Sequence, residues 1–130
     1  MGYSVSSNAD SFGRKPIVDS RQVMTFQDLL TESAKIKCEE MRAREEDYCE
    51  IVVGNSEIPR MVSLLDSYFG IPFKAAGVEA AAEADRLADP FGGVQSNQTM
   101  YFRKGNDVSE FAFLWPWGSG MSTTVKIIRK

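Results

Sequence analysis

Histidine is absent from the chain. That absence removes the histidine-ligated metal centre, the Ser-His-Asp triad and the Cys-His nucleophile, each of which needs an imidazole as ligand or proton carrier. Cysteine is nearly as scarce. Cys38 and Cys49 are the only two, and their spacing is not that of a metal-binding pair. Long apolar runs are missing too: nothing approaches the ~20 residues of a membrane span. The polar start, Met1 to Gly13, lacks an apolar secretory core, so a cytoplasmic, reduced protein with free thiols is expected. Basic residues are not in excess, since 15 Lys and Arg face 18 Asp and Glu for a net charge of −3. A nucleic-acid partner is therefore not expected.

Phosphate and calcium motifs fail on the same inspection. Gly118-Ser119-Gly120 lacks the third glycine and the lysine of a phosphate loop, and falls in a hairpin instead of between strand and helix. The acidic run from Glu39 to Asp47 lacks the spacing of a calcium loop. No cofactor and no metal are expected. Two short matches carry little: Met1-Gly2-Tyr3-Ser4-Val5-Ser6 fits a loose myristoylation pattern, and Asn97-Gln98-Thr99 is a glycosylation triplet that matters only after secretion.

What is present is a strongly patterned last third. Gln98 to Lys130 reads as a three-stranded antiparallel meander whose middle strand, Glu110 to Trp117, is the most aromatic stretch of the chain. Side chains alternate between faces along a strand, so Phe111, Phe113, Trp115 and Trp117 share one face. A two-residue turn at Asn106-Asp107 places Phe102 opposite Phe111, Met100 opposite Phe113 and Arg103 opposite Glu110, which keeps one face apolar and lets charges meet their opposites. A three-residue turn at Gly118-Ser119-Gly120 sets Trp115 against Thr123, Phe113 against Val125 and Phe111 against Ile127. This register predicts that the odd-numbered side chains of the middle strand face the helices. Tyr101, Ala112, Leu114 and Ile128 then lie on a second, half-apolar face with Arg103 and Lys126.

Upstream, Met1 to about Val23 reads as a mobile polar arm, leaving 24–130 as a single domain. Thr25 caps a long helix predicted over Phe26 to Asp47, with Asp28 completing a capping box. Carboxylates near its end oppose the helix dipole, so the last turn frays. Cys49 to Val53 is a short β-branched strand that pairs with an edge of the meander. Ser56 caps a second helix, Glu57 to Phe69, with a clean apolar stripe at Ile58, Met61, Val62, Leu65, Tyr68 and Phe69. Gly70 and Pro72 end it, and Ile71-Pro72-Phe73 packs inward. An alanine-rich third helix runs from Lys74 to Ala88. The predicted class is α+β: an antiparallel sheet of about four strands with two or three helices on one face.

No catalytic residue is identifiable. Three surfaces are candidates. Trp115, Trp117 and Tyr101, with Phe91 nearby, form an aromatic sheet end suited to a small or aromatic ligand, and Asn97 and Gln98 stand beside it as orienting amides. The second sheet face, with Leu114, Ala112, Ile128, Lys126 and Arg103, suits self-association, a dimer first. Glu110 is the only acid within the meander, paired across the ladder with Arg103. The leading expectation is a non-enzymatic binding module that self-associates and takes a small molecule or peptide. The alternatives are a metal-independent enzyme built on Glu110 and Asn97, and an adaptor whose polar arm folds onto a partner.

Overall fold

The computed structural model describes residues 24–130; the expected arm, 1–23, lies outside the described residues. The elements are α1 (Phe26–Ser33), β1 (Glu40–Arg44), β2 (Tyr48–Gly54), α2 (Ile58–Phe69), α3 (Ala82–Ala88), β3 (Thr99–Lys104), β4 (Ser109–Pro116) and β5 (Ser122–Arg129). The class is α+β, and the strands form one antiparallel sheet in the order β1-β2-β5-β4-β3. The meander and the Cys49–Val53 strand are where the β-branched and aromatic pattern put them. The fifth strand is β1.

β1 comes from the second half of the segment expected to be one long helix. The capping box is as read: Thr25 Oγ1 accepts from the Asp28 amide, and the Asp28 carboxylate accepts from the Thr25 amide, both at 3.0 Å. The helix nevertheless stops at Ser33, whose hydroxyl donates back to the Leu30 carbonyl. Ile36 is then drawn into the core, 4% exposed. The charged residues that follow serve an edge strand better than a helix terminus. They keep Glu40–Arg44 soluble along the edge that no other described strand pairs with, and a bulge between Met41 and Ala43 breaks the regular ladder to β2.

α2 is the amphipathic helix the pattern predicts, burying Met61, Leu65 and Tyr68. Ser56 does not cap it: the residue sits in a 3-10 turn, Asn55–Glu57, and makes no capping bond. Gly70 ends it at φ +85°, a conformation that suits glycine. Beyond it, Ile71 is 89% exposed and does not pack inward, and Phe73, 44% exposed, meets the sheet through an edge contact with Phe102. α3 is half as long as expected because Lys74 leaves the helical path to form an isolated bridge with Met100 of β3. Gly77 turns the intervening loop at φ +84°.

Register decides everything else. In the first hairpin Phe102 faces Phe111, Met100 faces Phe113 and Arg103 faces Glu110, as expected. The second hairpin differs by one residue. Phe111 pairs with Ile128, Phe113 with Lys126 and Trp115 with Thr124. The connection holds four residues, 118–121, closed by the Trp117 amide donating to the Ser122 carbonyl at 2.9 Å, with Met121 72% exposed at its tip. One added residue exchanges the faces of β5. Val125 and Ile127 join Ala112, Leu114, Tyr101 and the β2 residues Cys49, Ile51 and Val53, and α1 and α2 bury that whole set. The odd-numbered β4 residues face the other way. Phe111, Phe113, Met100 and Ile128 form a second core with Ala84 and Ala88 of α3 and with Val94. Helices therefore cover both sheet faces, not one.

Candidate ligand-binding cleft

The even-numbered face of β4 that α1 and α2 cover ends in a charged row at their rim, met by Phe26 at the start of α1 and by Tyr68 near the end of α2. Arg103, Glu110 and Arg129 are direct neighbours across three strands, and α2 has already stopped at Gly70. A cleft of about 320 Å³ opens there, lined by Met24, Thr25, Phe26, Tyr68, Arg103, Gly105, Val108, Glu110 and Arg129. Its size is at the lower end of small-molecule sites.

Both guanidiniums are laid over aromatic rings. Arg103 lies 4.8 Å from the Tyr68 centroid and Arg129 5.8 Å from that of Phe26. Such stacking fixes the plane of the group and turns its N–H edges away from the ring. One edge of Arg103 donates to the Tyr68 carbonyl at 3.3 Å. No carboxylate among the described residues lies within 4 Å of either guanidinium. Glu110 instead accepts the Tyr68 hydroxyl at 2.5 Å. The expected Arg103–Glu110 pair is thus adjacent in register without closing an ion pair, and Glu110 lines the cleft.

The Tyr68–Glu110 contact belongs to a pattern. Tyr101 donates to Asp66 at 2.7 Å and Tyr48 to Glu50 at 2.5 Å, so every tyrosine in 24–130 gives its hydroxyl proton to a carboxylate. All three phenols are held well above the usual tyrosine value, first by burial and then by the acceptor carboxylate, which would repel a phenolate.

The other residues singled out in the sequence are dispersed. Tyr101 is fully buried on the α2 side, whereas Trp115 projects from the opposite face. The two do not share a pocket. Trp115 and Trp117 do share a side of the sheet, but cations are already on them: Lys126 Nζ is 4.1 Å from the Trp115 centroid and Arg42 is 5.8 Å from that of Trp117. Trp117 also donates to Thr124 Oγ1 at 2.9 Å. The expected association face is divided. Ala112 and Leu114 lie in the core with α2, and Ile128 and Lys126 lie on the opposite face, so those residues do not form one free patch. The cause is the one-residue change in the β5 register. Asn97 is exposed, and Thr99 beside it pairs with Leu114, far along β4 from Glu110. The amide and the acid are not brought together.

Gly92 lies close against Trp115. At φ +110° this residue is in a glycine-favouring region, and a Cβ there would stand 3.0 Å from Trp115 Cη2. Gly92→Ala should therefore cost about 1–3 kcal/mol in chemical denaturation and change the tryptophan emission of the folded state. An unchanged midpoint and spectrum would show that the loop gives way freely.

Sequence reasoning missed Lys74 altogether. Only 4% exposed, it donates from Nζ to the carbonyls of Gln95 at 2.7 Å, Ser96 at 2.6 Å and Gln98 at 2.6 Å. Three acceptors match the three N–H bonds of an ammonium. Burial pushes the group below the ordinary lysine value, and the carbonyl cage offsets that cost. Gln98, read as a ligand-orienting amide, belongs to the same loop: its side chain accepts the Gln95 amide at 2.7 Å. A lysine opening an alanine-rich segment carries no signal of this role.

Among the described residues no group of three or more Cys, Asp and Glu is placed to hold a metal ion, and no helix is long and apolar enough to cross a membrane. No family model, curated protein or solved structure matches the chain.

Proposed function

We propose that the chain is a non-catalytic binding module whose site is the Arg103–Glu110–Arg129 cleft. The observation that supports this best is the partly exposed charged row itself. A stable fold gains little from three charges at the mouth of a cleft, yet two of them are oriented by aromatic rings and the third by a tyrosine hydroxyl. Preoriented charges of this kind are what an ionic small ligand needs, because little side-chain freedom is left to lose on binding.

The test is a screen of small ionic compounds against the ¹⁵N-labelled full chain. Saturable amide shifts should centre on Tyr68, Gly105, Val108 and Arg129. Shifts centred instead on Trp115 and Trp117 would return the site to the aromatic sheet end.

Self-association is a second reading, favoured by one observation. Among the described residues the outer edge of β1 has no partner strand and Met41 is 49% exposed, and such an edge can pair with another copy. Light scattering at high micromolar concentration checks it: a dimer abolished by Met41→Lys supports the edge, and a monomer excludes it.

A further inference from the structure

Resting on the cleft as the binding site, we infer that its ligand is a zwitterion carrying an anionic group and an ammonium, and not a simple anion. The argument is the order of charges along the row. Arg103 faces Glu110 across one ladder, and Glu110 faces Arg129 across the next. Adjacent strands lie about 5 Å apart, so the two arginine main chains are separated by about 10 Å with a carboxylate between them. An anion reaching for both guanidiniums would have to sit over Glu110 and be repelled by it. An anion on one guanidinium alone gains a single attractive contact and still has that carboxylate as its neighbour. A molecule whose anionic group meets a guanidinium while its ammonium turns to Glu110 satisfies both signs at once.

The remaining groups fit the same class. Tyr68 gives its hydroxyl to one oxygen of Glu110 at 2.5 Å, which fixes the carboxylate and leaves its second oxygen to accept from a cation. Met24, Phe26 and Val108 supply apolar wall around the charged row, enough for a short hydrocarbon linker between the two ends of the ligand. With two arginines against one glutamate the lining carries a surplus of one positive charge. A ligand with one extra anionic group is therefore accommodated, and a dication is not.

The experiment uses three probes of matched carbon skeleton, titrated into the ¹⁵N-labelled full chain: 4-aminobutyrate, butyrate and butylamine. Of these, 4-aminobutyrate should bind at least about tenfold more tightly than either singly charged probe, the worth of one charge-assisted hydrogen bond. Glu110→Gln should reverse the order, weakening 4-aminobutyrate and strengthening butyrate, because the repelling carboxylate is gone while the glutamine still meets Tyr68. Arg103→Gln and Arg129→Gln show which guanidinium holds the anionic end. Butyrate binding the unsubstituted chain as tightly as 4-aminobutyrate would overturn the zwitterion inference and leave the cleft standing. Binding of all three that ignores Glu110→Gln and both arginine substitutions would overturn the cleft with it, as would the absence of any binding to these probes and to the ionic screen.

Discussion

Lys74→Met should destabilise the fold by about 3–5 kcal/mol. Methionine can replace the aliphatic stem but supplies no donor, so three carbonyls converging within 2.7 Å of one nitrogen lose their partner together. Hydrogen bonds to a charged group are worth about 1.5–3 kcal/mol each, and the three are not additive because the loop can relax toward water once it opens. Against the roughly 5–15 kcal/mol that hold a domain together, this is a large share. In a domain of this size the melting temperature should fall by roughly 10–20 °C. The main-chain bonds between Lys74 and Met100, at 2.9 and 3.0 Å, survive the substitution. The damage should therefore be local, with amide exchange quickening first at residues 95–98. A loss below 1 kcal/mol would mean that water replaces the ammonium without penalty and that the cage is incidental.

Alkaline conditions should unfold the protein steeply. Tyr68 and Tyr101 are buried, and burial together with a carboxylate acceptor raises both phenols. A group whose value is raised by folding contributes stability that is complete below its unfolded value and is lost as pH climbs. The unfolded phenol titrates near pH 10, so the window opens there. Above it the unfolded chain gives up protons that the native chain retains, and stability falls by about 1.4 kcal/mol per pH unit for each tyrosine. Two buried tyrosines predict roughly 3 kcal/mol per unit. Tyr48 is only half-buried and adds less because solvent screens it. Absorbance at 295 nm makes the test direct. Among the four tyrosines, those at 48, 68 and 101 should form phenolate together with loss of native circular dichroism. Their smooth titration near pH 10 in a chain that stays folded would show that the hydroxyl–carboxylate bonds do not hold.

The sequence made the sheet legible because alternation is a strong signal where one side of a strand must be buried. The first hairpin was readable to the residue, since only one turn length keeps Phe102 and Met100 with the phenylalanines of β4 while matching Arg103 to Glu110. The second was not. Gly118, Ser119, Gly120 and Met121 are compatible with a three- or a four-residue connection, and β5 carries Val125, Ile127 and Ile128, so both of its faces look apolar. The choice was settled by β2, whose Cys49, Ile51 and Val53 need Val125 and Ile127 beside them under α2. That is a long-range requirement with no local mark.

The same distinction explains the site. Arg103 and Glu110 could be paired from the hairpin alone. Arg129 joined them only through the corrected β5 register, and Tyr68 and Phe26 only because α2 ends and α1 begins beside that row. The stretch 39–44 looks helical from the sequence because Phe26, Leu29, Leu30, Ala34, Cys38 and Met41 keep helical spacing. Its role as a sheet edge depends on β2 being there to receive it. Lys74 was invisible for a simpler reason, since the carbonyls that hold it lie on a loop more than twenty residues away and main-chain oxygens have no sequence signature.

All of this depends on which way β4 presents its side chains, because Glu110 reaches the cleft only if it shares a face with Ala112 and Leu114. Methyl-resolved nuclear Overhauser spectra of a sample labelled at alanine, leucine and methionine answer that question directly. Ala112 should show cross-peaks to Leu65 and Met61 of α2, and the Phe113 ring to Ala84 and Ala88 of α3. Cross-peaks from Ala112 to the α3 alanines, with Phe113 against α2, would turn the sheet over and remove Glu110 from the cleft.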